Sequence, residues 1–345
     1  MTKITIIGSE KSGKTTLAGK LGKKGNVSDI TMYDYAKNDS ILTTIDATGY
    51  PVSVKSLVTA LNLSDIAILC IPPEGLDPLS AECIIALDLL GYKHGIVALT
   101  KADTSYPFAL EEMKEKLQKI TIGTVLENWE YLPISTTSFE GMEELKEMIS
   151  NMGKDVDTEQ REMDDMPTRV LIDQSFNVTG IGCVVLGVVS QGILNAKDKM
   201  LAYPTKKPLE IRSIQMHDVD VKSAPTGSRV GLALKNIQSK DVDRGFVLSK
   251  EEIVATDLVL ESTLSQLAKP FAISDMLHIY VGLQSSPMRI ESISLNGENV
   301  EKAEPGKTYI VQLSGSKEIS YSKNDRFVLT NLDEKQRFIA FGYSQ

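Results

Sequence analysis

Residues 8–15 read Gly8-Ser9-Glu10-Lys11-Ser12-Gly13-Lys14-Thr15 and match G-x-x-x-x-G-K-[ST] in full. The motif lies between the apolar run 3–7 and a helix-patterned segment that opens at Lys14, the strand–loop–helix context such a loop requires. Backbone N–H groups from Gly8 to Thr16, at the positive end of the following helix, are suited to cradle phosphates. Lys14 then neutralises β and γ oxygens, and the Thr15 hydroxyl ligates Mg²⁺. Working outward, 1–150 alternates short buried-strand runs (3–7, 40–46, 65–71, 95–100, 130–135) with helical patterns (14–24, 52–61, 78–90, 108–119, 140–149). That order predicts a doubly wound parallel sheet.

Residues 151–166 (NMGKDVDTEQREMDDM) are polar and mostly acidic and run into Pro167, the composition of a linker or a solvated helix end. From there the apolar period shortens. Segments 169–178, 182–189, 210–216 and 228–235 are β-rich and separated by Gly, Pro, Asn and Asp; a second series follows at 275–284, 288–295, 308–313, 326–330 and 337–343. Two small β-barrels meeting near Lys250 fit that length. The expected organisation is multi-domain, α/β plus all-β: a phosphate-loop domain over 1–150, an acidic linker over 151–166, and barrels over 167–250 and 251–345.

The 345 residues are 42% apolar and 24% charged, a globular composition. The longest apolar stretch, 180–189, is about half of a membrane span. Residues 1–7 read as a first strand rather than a signal peptide, so a cytoplasmic protein without membrane contact is expected. Cys70, Cys83 and Cys183 each sit in an apolar run and read as reduced core thiols, and with His94, His217 and His278 they form no metal-ligand spacing. The net charge of −9 is uneven: −6 over 1–150, −4 over 151–166, +5 over 167–250 and −4 over 251–345. The acidic whole argues against indiscriminate polyanion binding and against DNA. The basic segment reads either as a local footprint for phosphate backbone or as a chance fluctuation.

The loop alone does not choose between a kinase, an ATPase and a GTPase. Thr100-Lys101-Ala102-Asp103 closes the strand 95–99, at the sheet edge where ligands bind in this architecture. Here the chain resembles the GTPase superfamily, whose [NT]-K-x-D motif recognises guanine: the Asp103 carboxylate accepts from N1–H and the 2-amino group, and the Lys101 stem covers the ring. Ser135-Thr136-Thr137 resembles the S-A-x loop that completes the base pocket, with Thr136 in the Ala position. Asp46-Ala47-Thr48-Gly49 resembles D-x-x-G, which implies that Asp46 holds a Mg²⁺-bound water and that the Gly49 N–H meets the γ-phosphate. Asp29-Ile30-Thr31 resembles the end of a first switch, which makes Thr31 a Mg²⁺ ligand candidate; Thr43 and Thr44 read as ordinary strand residues.

Residues 167–250, through Ile172-Asp173-Gln174-Ser175-Phe176, 180–187, 211–217 and Arg244-Gly245, resemble the second domain of translational GTPases. The likeness is to the selenocysteine-specific elongation factor, elongation factor Tu and the gamma subunit of archaeal initiation factor two. Pro305-Gly306 and Asp325-Arg326-Phe327-Val328-Leu329 echo their third domain. The resemblance implies a GTP- and Mg²⁺-dependent monomer that holds an aminoacyl-tRNA and meets the ribosome or an exchange factor. Lys197, Lys199, Lys206, Lys207, Arg212, Arg229, Lys235 and Arg244 are then the tRNA-binding candidates. A GTP-sensing paralogue that binds a protein through its barrels is the alternative. The chain also departs from the family. Where D-x-P-G-H is usual it has Thr48 and Tyr50, and Tyr50 takes the place of the His that positions the attacking water. Residues 1–150 contain no arginine, so no arginine finger comes from that segment. Lys11 replaces the usual Asp of the loop and reads either as a cation over the phosphates or as a solvated side chain. Gln174 stands where selenocysteine factors carry Arg, and the C-terminal extension of those factors is not expected after Gln345. Slow or absent intrinsic hydrolysis is expected.

Overall fold

The computed structural model describes residues 2–37 and 40–345. It divides into two compact units, Met1–Val156 with Lys335–Phe338, and Asp157–Glu334 with Ile339–Gln345.

The first unit carries a seven-stranded sheet in the order β2-β3-β4-β1-β5-β6-β7. The strands are β1 (Thr2–Gly8), β2 (Lys23–Lys24), β3 (Thr31–Lys37), β4 (Ser40–Asp46), β5 (Ile66–Ile71), β6 (His94–Leu99) and β7 (Glu130–Pro133). β4, β1, β5, β6 and β7 are mutually parallel, and β5 is buried along its whole length, as helices on both faces of a parallel sheet require. The helices are α1 (Lys14–Leu21), α2 (Val54–Asn62), α3 (Pro78–Leu90), α4 (Pro107–Thr121) and α5 (Met142–Glu162). α3 has the bounds its sequence specifies. Asp77 caps it by accepting from the Ser80 N–H at 2.7 Å, Pro78 opens it, and Gly91 ends it at φ 68°.

Three elements differ from the sequence reading. The sheet is mixed, because β3 adds antiparallel to β4 and β2 adds antiparallel to β3. β3 lies between the two-residue edge strand β2 and β4; Asp34 breaks its apolar run, and that carboxylate accepts from its cross-strand neighbour Thr43 at 2.7 Å. α1 stops at Leu21 because Gly22 passes against β3, where a Cβ would lie 2.8 Å from the Tyr33 carbonyl carbon. α5 runs past the expected 149 to Glu162, so residues 151–162 take the helix-end alternative; Val156 and Gln160 are buried there, while Asp155, Arg161 and Glu162 are exposed.

The second unit holds two closed six-stranded barrels. In the first, Arg169–Val178, Gly182–Gln191, Arg229–Lys235, Lys207–Met216, Lys199–Tyr203 and Val247–Ser249 pair in that order and close on the first strand. In the second, Ile253–Leu264, Thr308–Tyr321, Gln284–Leu295, Met276–Val281, Phe327–Thr330 and Phe338–Ser344 do the same. The cysteines are buried and free. Arg169, at the head of the first barrel, is buried between two carboxylates. Its Nε and Nη2 donate to Glu252 at 2.7 and 3.1 Å, and Nη1 and Nη2 donate to Asp325 at 2.8 and 2.6 Å. Burial alone would lower the Arg169 pKa, but the two carboxylates raise it beyond its ordinary value. Arg169→Met should cost about 3–5 kcal/mol, because Glu252 would be left buried without a counter-charge. Equilibrium denaturation of the full chain measures this, and a loss below about 1 kcal/mol contradicts it.

Candidate functional site

The phosphate loop leaves the end of β1, where Gly8 lies at φ 150°. A Cβ there would stand 2.6 Å from the Cys70 carbonyl oxygen and 2.7 Å from Ser12 Oγ, so the tight wrap admits only glycine. Gly13 at φ 92° turns the chain into α1, and no side chain caps the helix, so its first N–H groups face the loop uncapped. Ser12 Oγ is buried without a hydrogen-bond partner, and Lys14 Nζ folds back to donate to the Ser9 carbonyl at 3.1 Å. Glu10, Lys11 and Thr16 are exposed, with Lys11 at φ 61°.

Parallel pairing of β1 with β4 sets Asp46 opposite Ile6 and beside the loop. The Thr15 hydroxyl donates to Asp46 Oδ2 at 2.6 Å, while Oδ1 is buried without a partner. Burial raises the Asp46 pKa, and the Thr15 hydroxyl and the Lys14 charge oppose the rise. A hydroxyl and a half-satisfied carboxylate at this spacing fit a hard cation such as Mg²⁺. Thr31 opens β3 opposite Asp46, is buried, and accepts from the Thr48 hydroxyl at 2.7 Å. The Gly49 N–H donates to the Asp29 carbonyl at 2.7 Å, a contact absent from the sequence reading.

The two candidate base-binding segments lie at neighbouring strand ends, and the first is tied to the phosphate loop. Thr100 is buried; its hydroxyl donates to the Ser12 carbonyl at 2.6 Å, tying this loop to the phosphate loop. The Ala102 N–H donates to the Ile134 carbonyl at 3.1 Å. Ser135 is buried and accepts from the N–H groups of Thr137 and Ser138 at 3.1 and 3.0 Å, so it shapes its loop from inside. Asp103 and Thr137 are exposed, Thr136 and Lys101 half-buried, and Lys101 Nζ lies 3.8 Å from Glu74.

Tyr50 is 3% exposed, and its hydroxyl donates to Glu82 Oε2 at 2.8 Å and to the Leu79 carbonyl at 3.1 Å. Burial first, then the neighbouring Cys83 and Glu82, raises its pKa, so it stays a neutral phenol. The Glu82 carboxylate is in turn held by Arg337. Sequence reasoning missed Glu82 and Arg337, because 255 residues separate them. Most of the basic candidates have internal partners: Lys207 with Asp241, Lys235 with Glu210, Arg229 with Asp173, Arg212 with the Ile181 carbonyl and Arg244 with the Asp173 carbonyl. Lys197, Lys199 and Lys206 are exposed. At the candidate cation site, Thr15→Ala would leave both Asp46 oxygens buried without a hydrogen bond and should cost about 1–3 kcal/mol of nucleotide-free stability. Thermal and urea unfolding check this; an unchanged midpoint contradicts it.

Residues 22–155 match the family described as the elongation factor Tu GTP binding domain, and residues 182–249 match elongation factor Tu domain 2. An uncharacterized protein of Methanocaldococcus jannaschii is 30% identical over 327 residues, covering 94% of each chain. The selenocysteine-specific elongation factor of the same organism is 26% identical over 323 residues, 88% of this chain and 68% of its own. Elongation factor 1-alpha of Sulfurisphaera tokodaii is 24% identical over 342 residues, covering 88% and 78%. Among solved structures, the apo elongation factor SelB of Methanococcus maripaludis superposes with a TM-score of 0.84 at 22% identity, over 100% of this chain and 79% of that one. Phosphate loop, mixed sheet, paired barrels and these likenesses agree: the chain belongs to the translational GTPases of the elongation factor Tu group.

Proposed function

We propose that the protein is a GTP-binding carrier that takes up an aminoacyl-tRNA and hydrolyses GTP slowly or not at all. The observation that carries this reading is Tyr50. In the place where the family carries its water-positioning His, it presents a buried phenol whose hydroxyl is engaged by Glu82 and the Leu79 carbonyl. GTP is held by Gly8 to Thr16, with guanine read by Asp103 and flanked by Lys101, Thr136 and Thr137. Thr100 and Ser135 act from beneath as the hydrogen-bonded frame of the base pocket. Mg²⁺, which supplies charge neutralisation at the phosphates, falls to Thr15 and, through water, Asp46; Thr31 is the further candidate. Relatives named as elongation factors support the tRNA, whose phosphates would meet the basic barrel. A second reading has an observation of its own. With five of the eight basic candidates engaged internally, the barrels also suit a protein partner without RNA.

Filter binding with total charged and uncharged tRNA, with GTP or GDP, separates the two readings. The carrier binds charged tRNA better, and better with GTP. Its affinity falls with salt by a power of about 0.7–0.9 per phosphate contact, and Lys206→Ala with Lys197→Ala lowers that slope by about one for each of the two ammonium groups that pairs with a phosphate. Absence of GTP-dependent binding at low salt favours the protein partner. With no arginine finger from residues 1–150 and the Tyr50 hydroxyl engaged, single-turnover hydrolysis should trail activated GTPases by about 10³ to 10⁵. Intact GTP should persist for hours, and cleavage within seconds without a partner contradicts the reading.

A further inference from the structure

We infer that Arg337 is a positioning residue for the nucleotide site, holding the Gly49–Tyr50–Pro51 turn in the form in which the Gly49 N–H is unavailable to a γ-phosphate. The inference rests on the proposed GTP reading and concerns how the same site tells a triphosphate from a diphosphate.

Glu82 is 2% exposed, on α3, and a carboxylate buried so deeply needs a counter-charge. Arg337, in the Lys335–Phe338 segment of the same compact unit, supplies it. Its Nε donates to Oε1 at 2.9 Å, its Nη2 to Oε2 at 2.6 Å and its backbone N–H to Oε1 at 3.1 Å. This two-point pairing fixes the guanidinium plane. The remaining nitrogen, Nη1, donates to the Pro51 carbonyl at 2.8 Å, and the guanidinium lies 5.6 Å from the Tyr50 ring centroid. These contacts of the Arg337 side chain all end on Glu82 or on the turn, and the Tyr50 hydroxyl closes the circuit by donating to Glu82 at 2.8 Å.

The turn so gripped begins at Asp46, the cation-site carboxylate. Its Gly49 N–H donates to the Asp29 carbonyl at 2.7 Å, and its Tyr50 N–H donates to the Ala47 carbonyl at 2.9 Å. A Cβ on Gly49 would lie 2.5 Å from Ser56 Oγ and 3.2 Å from the Asp29 carbonyl oxygen, so the turn is packed closely on both sides. The Arg337 grip and the Gly49–Asp29 bond are present together in one arrangement. A ligand that takes the Gly49 N–H must break the second while the first resists movement of the adjoining Tyr50 and Pro51. A diphosphate makes no such demand. A state-selective contact biases ligands only by its difference between states, and here the difference falls on the γ-phosphate.

The test is equilibrium titration of the full chain with fluorescent GTP and GDP analogues in Mg²⁺, for wild type, Arg337→Lys and Tyr50→Phe, alongside thermal unfolding. Arg337→Lys keeps a positive charge for Glu82 but loses the fork that reaches Pro51. Tyr50→Phe keeps Arg337 and Glu82 paired and removes only the hydroxyl. Both should raise the ratio of GTP to GDP affinity, by about tenfold for Arg337→Lys and less for Tyr50→Phe, which for the larger change is about 1.4 kcal/mol. A ratio within twofold of wild type in both variants, or a lower one, overturns the inference whatever the unfolding midpoints do, since a merely structural contact lowers stability without moving the ratio. If the wild type binds neither nucleotide, the GTP reading itself fails and takes this inference with it.

Discussion

The parallel placement of β1 between β4 and β5 is the constraint on which the site depends. It sets Gly8 beside Cys70 and Ile6 beside Asp46, so the phosphate loop emerges where β4 and β5 also end. Sterics then tighten the loop, since neither the Cys70 carbonyl nor Ser12 leaves room for a Cβ at Gly8. The Thr15–Asp46 hydrogen bond joins the loop to β4, and the Thr100–Ser12 bond joins it to β6. The candidate phosphate, cation and base segments are thus connected by side-chain hydrogen bonds rather than set independently, the preorganisation an anion site needs.

The same frame accounts for the burial of Tyr50, the residue that follows Gly49 in the turn. A histidine after Gly49 would carry a polar edge able to meet water, whereas the Tyr50 phenol reaches further and finds a buried carboxylate on α3. Once Glu82 is buried it requires Arg337, and Arg337 extends the cluster to the Pro51 carbonyl. The Pro51 carbonyl next to Tyr50 is thereby tied to a residue 286 positions away in the chain. The Arg169 cluster in the second unit also pairs an arginine with buried carboxylate, but there two acidic residues, Glu252 and Asp325, share the guanidinium.

The fold was legible where local chemistry and burial agree. β4 and α3 have the bounds that their apolar runs, the Asp77 cap and Gly91 imply. The glycine-rich loop was legible because its requirements are backbone requirements. β3 was not, because the exposed Asp34 breaks the apolar run of Met32, Tyr33 and Tyr35. The extent of α5 was hidden by its acidic composition, in which two side chains a turn apart, Val156 and Gln160, are buried. Pairings across long sequence separation, Gly49 with Asp29 and Glu82 with Arg337, left no local signal. Nor did the partners of the basic barrel residues, since a lysine facing solvent and one facing an aspartate read alike.

Competition between GTP, ATP and XTP for a labelled guanine nucleotide, on the wild type and on Asp103→Asn, tests most directly that this frame reads guanine. A pocket built to hydrogen-bond N1–H and the 2-amino group should reject ATP by about 10⁴ to 10⁵ relative to GTP, and the amide at position 103 should shift preference toward XTP. Equal displacement by ATP and GTP, or an Asp103→Asn protein with unchanged preference, would contradict the account.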